Sequence, residues 1–134
     1  MHVIDQWHRL LETGNVEGLN TLLAEDAVFH SPVVHSPQRG RALTAAYLGA
    51  AFVVLGNDSF RYLREIRGEQ DAMLEFQTEI DGIVINGVDI IHWNNRGEID
   101  DFKVMLRPLK AVNLVHQKMA EMLSAMTAQD SPRV

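Results

Sequence analysis

At Ser59 the hydrophobic period of the chain changes from helical to alternating, so no single class of secondary structure can hold both halves. Before it, Val3, Trp7, Leu10 and Leu11 recur at helical spacing and Gly14 stands where a helix stops, which predicts a first helix over 2–13. Asn15 caps a second helix with Val16, Leu19, Leu22 and Leu23 on its inner face, and the two helices form a hairpin. Glu25-Asp26 then turns the chain into a short strand through Val28, Phe29 and His30. Two prolines make 31–37 a loop, and a third helix runs from about Arg41 to Leu55.

Beyond Ser59, Phe60, Tyr62, Arg64 and Ile66 alternate with Arg61, Leu63, Glu65 and Arg67. After a turn at 68–71, Leu74, Phe76, Thr78 and Ile80 form a dry face against Glu75, Gln77 and Glu79. Asp81-Gly82 and 94–97 are hairpin turns, and Asn86-Gly87 marks a bulge or kink. A final strand over Ile99 to Arg107 turns Phe102, Val104 and Leu106 inward and Lys103, Met105 and Arg107 outward. Pro108 opens a terminal helix whose stripe of Val112, Val115, Met119, Met122 and Met126 suits a core or a subunit interface better than a cofactor site. Helices followed by a long meander give an α+β fold: a curved antiparallel sheet packed against N-terminal helices, plus a C-terminal helix. The expected organisation is one domain over 1–126 and a flexible tail over 127–134.

Charge and composition narrow the function classes. The 18 acidic residues outnumber the 12 basic ones, which are scattered, so nucleic acid is not an expected partner. No apolar run reaches the roughly 18 residues that cross a bilayer, and the start lacks a basic region followed by a hydrophobic core, so a cytoplasmic location and no membrane partner are expected. The absence of cysteine removes disulfides, thiol catalysis and thiolate metal sites. The six histidines form no His-Glu-x-x-His helix, and His30 with His35 across two prolines is no recognised ligand spacing; neither a metal nor a cofactor is expected.

Asp89 is the best clue to function, because it sits in the apolar strand 87–93 with no lysine or arginine in that run. A lone carboxylate leaving water costs several kcal/mol, so it must find a partner, take up a proton or face a wet cavity. It is either a structural acid bonded to a neighbouring hydroxyl, indole or water, or a pocket acid that binds or protonates a ligand. Strand phase sets Asp89 with Ile91 and Trp93, opposite Val88, Ile90 and His92. Both sets are largely apolar, so both faces are expected to be covered, one by helices and the other by a second copy of the chain; the predicted assembly is a homodimer through the sheet face, with His92 at that contact.

Several short stretches together resemble a known superfamily. These are an aromatic in the first helix, Gly14-Asn15, residues 23–27 leading to Ser31-Pro32, Gly40 before the third helix, the run 87–93, Gly97 and Ile99. In this order they resemble the nuclear transport factor 2-like cone fold, within it the SnoaL-like and ketosteroid isomerase-like branch, over residues 1 to about 110. The resemblance implies that Asp89 corresponds to a buried aspartic acid, kept neutral, that helps hold an oxyanion. The isomerases' basic aspartate before a proline corresponds to Ser31 before Pro32, and a hydroxyl cannot serve as that base unaided. Their first-helix tyrosine corresponds to Trp7, which donates a hydrogen bond but exchanges no proton. These two changes argue against steroid isomerisation by the same mechanism. The Asp-Arg-Asp set of the related limonene epoxide hydrolases has no counterpart here.

Asp89, His30 and Ser31 are therefore the candidate catalytic residues, with His30 or His35 as a possible base around the proline loop. Trp7, Phe76, Ile91, Trp93, Phe102 and Leu106 are the candidate substrate-binding wall. Asp100 and Asp101 read as a solvated strand end, and 107–110 as an anion contact or simply a helix start. Three functions stay open: an isomerase, cyclase or hydrolase acting on a small apolar carbonyl-type metabolite; a protein that binds such a ligand without converting it; and a dimeric interaction module.

Overall fold

A computed structural model describes residues 2–130, with side chains through 126. Helix α1 (Val3–Thr13) buries Val3, Ile4 and Trp7; the His2 ring accepts a bond from the Ile4 amide at its start, and Gly14 ends it in the left-handed region at φ 64°. Asn15 caps the following segment by accepting from the Gly18 amide at 3.2 Å. That segment is not the single helix expected. It is a 3₁₀ turn (Val16–Gly18) followed by one α-turn, α2 (Leu19–Leu22), and Leu10 of α1 packs directly over Gly18, where a Cβ would collide with it. Val16 is exposed, and Leu23 already belongs to the next strand.

Strand β1 (Leu23–His30) is longer than expected, and Glu25-Asp26 is not a turn. Both side chains are exposed where the pairing register slips between Leu23 and Val28, so they form a bulge within the strand. After the proline loop, two residues form β2 (Gln38–Arg39) against β1, and α3 (Arg41–Leu55) follows as expected. The period-two half gives β3 (Arg61–Arg67), β4 (Asp71–Ile80), β5 (Ile83–Trp93) and β6 (Ile99–Arg107), and α4 (Leu109–Asp130) closes the chain.

The six strands form one sheet in the order β2-β1-β6-β5-β4-β3. The fold is α+β, with a curved, unclosed sheet. All pairings are antiparallel except that of β1 with β6, which is parallel and makes the sheet mixed. Asn86-Gly87 is neither bulge nor kink, since β5 keeps continuous register there with both neighbours. Gly87 is instead a close approach: a Cβ would stand 2.7 Å from Leu106 Cδ2 and nearer still to the Phe76 ring. The core joins Ile4, Trp7 and Leu48 of the helical side to Leu23, Phe29, Leu74, Phe76, Ile85, Ile91 and Phe102 of the sheet. On α4 the buried stripe is Ala111, Val115 and Met119, with Val112, Met122 and Met126 half-buried beside it. The helix continues to Asp130; residues 131–134 of the expected tail lie outside the described residues. No helix among the described residues is long and apolar enough to cross a membrane.

Candidate functional site

Strand phase carries Asp89 to the inner face of β5, level with Leu74 on β4 and Val104 on β6, and leaves it only 6% exposed. Gly87 lets the Phe76 ring lie low over the sheet, and Phe60 stacks on that ring at 5.3 Å. Tyr62, opposite Phe76 on β3, spans β4 above these rings so that its hydroxyl donates to Asp89 Oδ2 at 2.7 Å. The same hydroxyl accepts from the Trp7 indole N–H at 3.0 Å. A helix and two strands thus converge on one chain of hydrogen bonds, Trp7 to Tyr62 to Asp89.

Burial pushes the Asp89 carboxyl up to about 7, against the opposing pull of the Tyr62 hydrogen bond. Tyr62 is raised well above its ordinary value by burial and then by the facing carboxylate. Asp89 is therefore poised between its charged and neutral forms near neutrality, while Tyr62 keeps its proton. Among the described residues no buried side-chain oxygen lacks a partner, and Tyr62 bonds only Oδ2 of Asp89. The other oxygen, Oδ1, has no partner among the described residues and so is open to the space beside it.

That space is a cavity of about 390 Å³. Its floor is Phe76, Asp89, Phe102 and Val104; Leu48, Ala51, Phe52 and Leu55 of α3 close one side; Trp7, Phe60 and Tyr62 close the other. His8, Glu12, Asn57 and Arg61 stand at its mouth. The volume lies toward the low end of the roughly 300–1,000 Å³ of small-molecule sites, and the lining has their character of apolar walls with a few convergent polar groups. His8 pairs with Glu65, which also takes the Arg67 guanidinium, and Arg67 in turn reaches Asp5. Burial raises Glu65, but the bonds from His8 and Arg67 outweigh it and hold the carboxyl below its usual range.

Of the residues expected at the site, Asp89, Trp7, Phe76 and Phe102 line this cavity. His30 and Ser31 do not. His30 is out of phase with the buried Phe29, so it lies on the outer face of the sheet, where Nε2 meets Asp101 at 2.9 Å. Ser31 stabilises its own loop by accepting from the Val33 amide, and His35 is exposed. Ile91 has the inward phase but is wholly enclosed by the core, and Trp93 is buried against the edge of His2 at 5.3 Å. Leu106 packs over Gly87 and borders a separate groove with Ile66, Met73, Val88 and Met105. His92 faces away from Asp89 and bonds Asp100, which raises its pKa. Among the described residues, no cluster of three or more His, Cys, Asp or Glu could hold a metal ion.

Tyr62 and His8 were missed as site residues. Tyr62 carried a usable signal, a polar-tipped aromatic in phase with Phe60 in an otherwise charged strand. His8 carried a weaker one, since it lies one helical turn past Ile4 and so on the same face of the helix.

The SnoaL-like domain family model matches residues 4–102. A steroid delta-isomerase from Pseudomonas aeruginosa superposes with a TM-score of 0.89 at 30% identity, covering 94% of this chain and 92% of that one. A bacterial protein with a cystatin-like fold from Silicibacter pomeroyi gives 0.85 at 33% identity, covering 96% and 92%. A nuclear transport factor 2-like protein from Mesorhizobium loti gives 0.68 at 15%, over 79% and 88%, and shows the fold alone. None of the curated proteins matches the sequence. The family and the fold make this a small-molecule pocket protein. The chain belongs to the SnoaL-like, ketosteroid isomerase-like branch of the nuclear transport factor 2-like superfamily.

Proposed function

We propose that the chain is an enzyme acting on a small, mostly apolar carbonyl compound, with Asp89 as the pocket acid and Tyr62 beside it. The observation that carries this reading is the cavity-facing Oδ1 of an acid whose pKa lies near 7. In its neutral form Asp89 donates to a carbonyl oxygen, and as charge builds there the donor, itself buried, strengthens its hold. The 30% identity to a steroid delta-isomerase supports proton transfer beside a carbonyl as the reaction class, and the volume of about 390 Å³ supports a compact substrate. Isomerisation needs only this polarisation and one base, whereas cyclisation or hydrolysis also needs a positioned nucleophile.

The test is conversion of the β,γ-unsaturated ketone 3-cyclohexenone to its conjugated isomer, followed by absorbance. Loss of one oxyanion donor costs roughly 100-fold or more in turnover, so Asp89→Asn should fall by that order, and Tyr62→Phe, which removes the bond that orients Asp89, should fall as well. Full activity in both variants would overturn the reading. Saturable binding of the ketone with no conversion by the unaltered protein would favour the alternative, a non-catalytic ligand-binding protein.

We further infer that a second copy covers the outer face of the sheet. Ile66, Met73 and Met105 are exposed there in a belt with the half-buried Val88 and Ile90. Asp71 and Asp101 stand beyond one end of the belt and Arg107 beyond the other, while Arg64, paired with Glu75, lies level with Val88 and Met105, and Lys103 lies beside Ile90. A two-fold axis through the belt lays each acidic end on the partner's basic end.

A further inference from the structure

Asp89, steadied by Tyr62, can polarise a carbonyl, but isomerisation also needs a base to move a proton, and neither Ser31 nor His30 reaches the cavity. We propose that His8 is that general base, acting through Nδ1, and that Glu65 is its positioning residue. The inference rests on the carbonyl reading above and deepens it.

The geometry carries it. His8 lines the mouth of the cavity, and its ring meets Tyr62 edge-on, with centroids 5.2 Å apart. The imidazole therefore touches the side chain whose hydroxyl faces Asp89. A ligand with its carbonyl at Asp89 Oδ1 and its body directed toward the opening passes this ring. His8 Nε2 is already committed to Glu65 Oε1. Glu65 is itself bonded by Arg67, which keeps it a carboxylate and an acceptor, so the tautomer it selects carries hydrogen on Nε2 and leaves the Nδ1 lone pair free. A base in reach of a reacting centre, oriented by a third group, is the arrangement that general-base catalysis requires. Glu12 also stands at the mouth, but it is exposed and no described residue orients it. The charged and titratable groups around His8 are Asp5 and Glu12 on α1, Arg61, Tyr62, Glu65 and Arg67 on β3, and Asp89 across the cavity.

The step balances without a further reactant. The α-carbon–hydrogen bond breaks as the Nδ1–hydrogen bond forms, and the released electron pair becomes the carbon–carbon double bond of a dienolate. The carbonyl oxygen takes the charge and is held by Asp89, which Tyr62 steadies through its hydrogen bond to Oδ2. Return of the proton from Nδ1 to the γ-carbon gives the conjugated ketone and restores neutral His8.

The experiment follows exchange of the α-hydrogens of 3-cyclohexenone with deuterium oxide by proton NMR, using the full chain. His8→Ala should lower the rate roughly 100-fold with KM little changed, and added 4-methylimidazole should restore a substantial part of it. Glu65→Gln should lower kcat roughly tenfold, again without moving KM, because it disorients the ring rather than the ligand. His8 is half-buried at the rim, and unchanged circular dichroism of His8→Ala would show that the fold is intact. If His8→Ala exchanges at the unaltered rate while Asp89→Asn does not, the base assignment is overturned and the carbonyl reading stands. A loss in His8→Ala that 4-methylimidazole fails to restore also overturns the base assignment. If the unaltered protein exchanges nothing, both are overturned.

Discussion

At the scale of single residues, Asp89 is the part of the site most legible in the sequence, because a charge in an apolar strand has few physical outcomes and all of them require a polar interior. Its partner was harder to see: Tyr62 lies 27 positions away in sequence, and only the folded sheet brings its hydroxyl within 2.7 Å. The raised pKa has a consequence for stability. Asp89 holds its proton to about pH 7 in the native state but releases it near 3.8 when unfolded, so between those values the native state binds more protons and stability falls as pH rises. The contribution is full below pH 3.8, declines to about pH 7 and is then flat, a total on the order of 4 kcal/mol. Asp89→Asn removes this dependence. Urea unfolding should show the variant gaining stability relative to the unaltered protein from pH 4 to 7 and holding that gain at pH 8; parallel curves for the two proteins would contradict it.

At the scale of elements, hydrophobic period was enough to locate α1, α3 and the strands β4, β5 and β6, because each buries one face and displays the other, whereas β3 is exposed apart from the half-buried Tyr62 and shows by alternation alone. It failed where local signals were contested. Glu25-Asp26 looks like a turn, but the flanking Leu23 and Val28 both pair with β6, and a strand can carry two exposed acids in a bulge. The parallel β1–β6 pairing joins segments some 75 positions apart and leaves no local trace. Asn86-Gly87 has the sequence of a bulge or kink, whereas the role of Gly87 is to make room for Phe76 and Leu106. Gly87→Ala should therefore destabilise the fold by about 1–3 kcal/mol and displace the Phe76 ring that floors the cavity. A thermal unfolding midpoint equal to that of the unaltered protein would count against this packing.

At the scale of the whole molecule, phase states which face of a sheet a residue occupies but not where along it a cavity will open. Ile91, Trp93 and Leu106 share the inward phase of Asp89 and Phe102, yet α1 and α3 leave space over Phe76, Asp89, Phe102 and Val104 and not over those three. The outer face gives a prediction of its own: light scattering at micromolar concentration should return twice the mass of one chain, and Met105→Lys should shift it toward the single-chain mass, whereas a monomeric unaltered protein would contradict the proposed pairing. The interior gives the most direct test of all, because only the complete fold desolvates Asp89 while leaving Oδ1 facing a cavity. Carbon-13 NMR of the Asp89 carboxyl, assigned by its loss in Asp89→Asn, should show a titration midpoint of about 7 in the native protein. A midpoint near the ordinary 3.8 would show a solvated carboxylate and contradict the account of a neutral pocket acid.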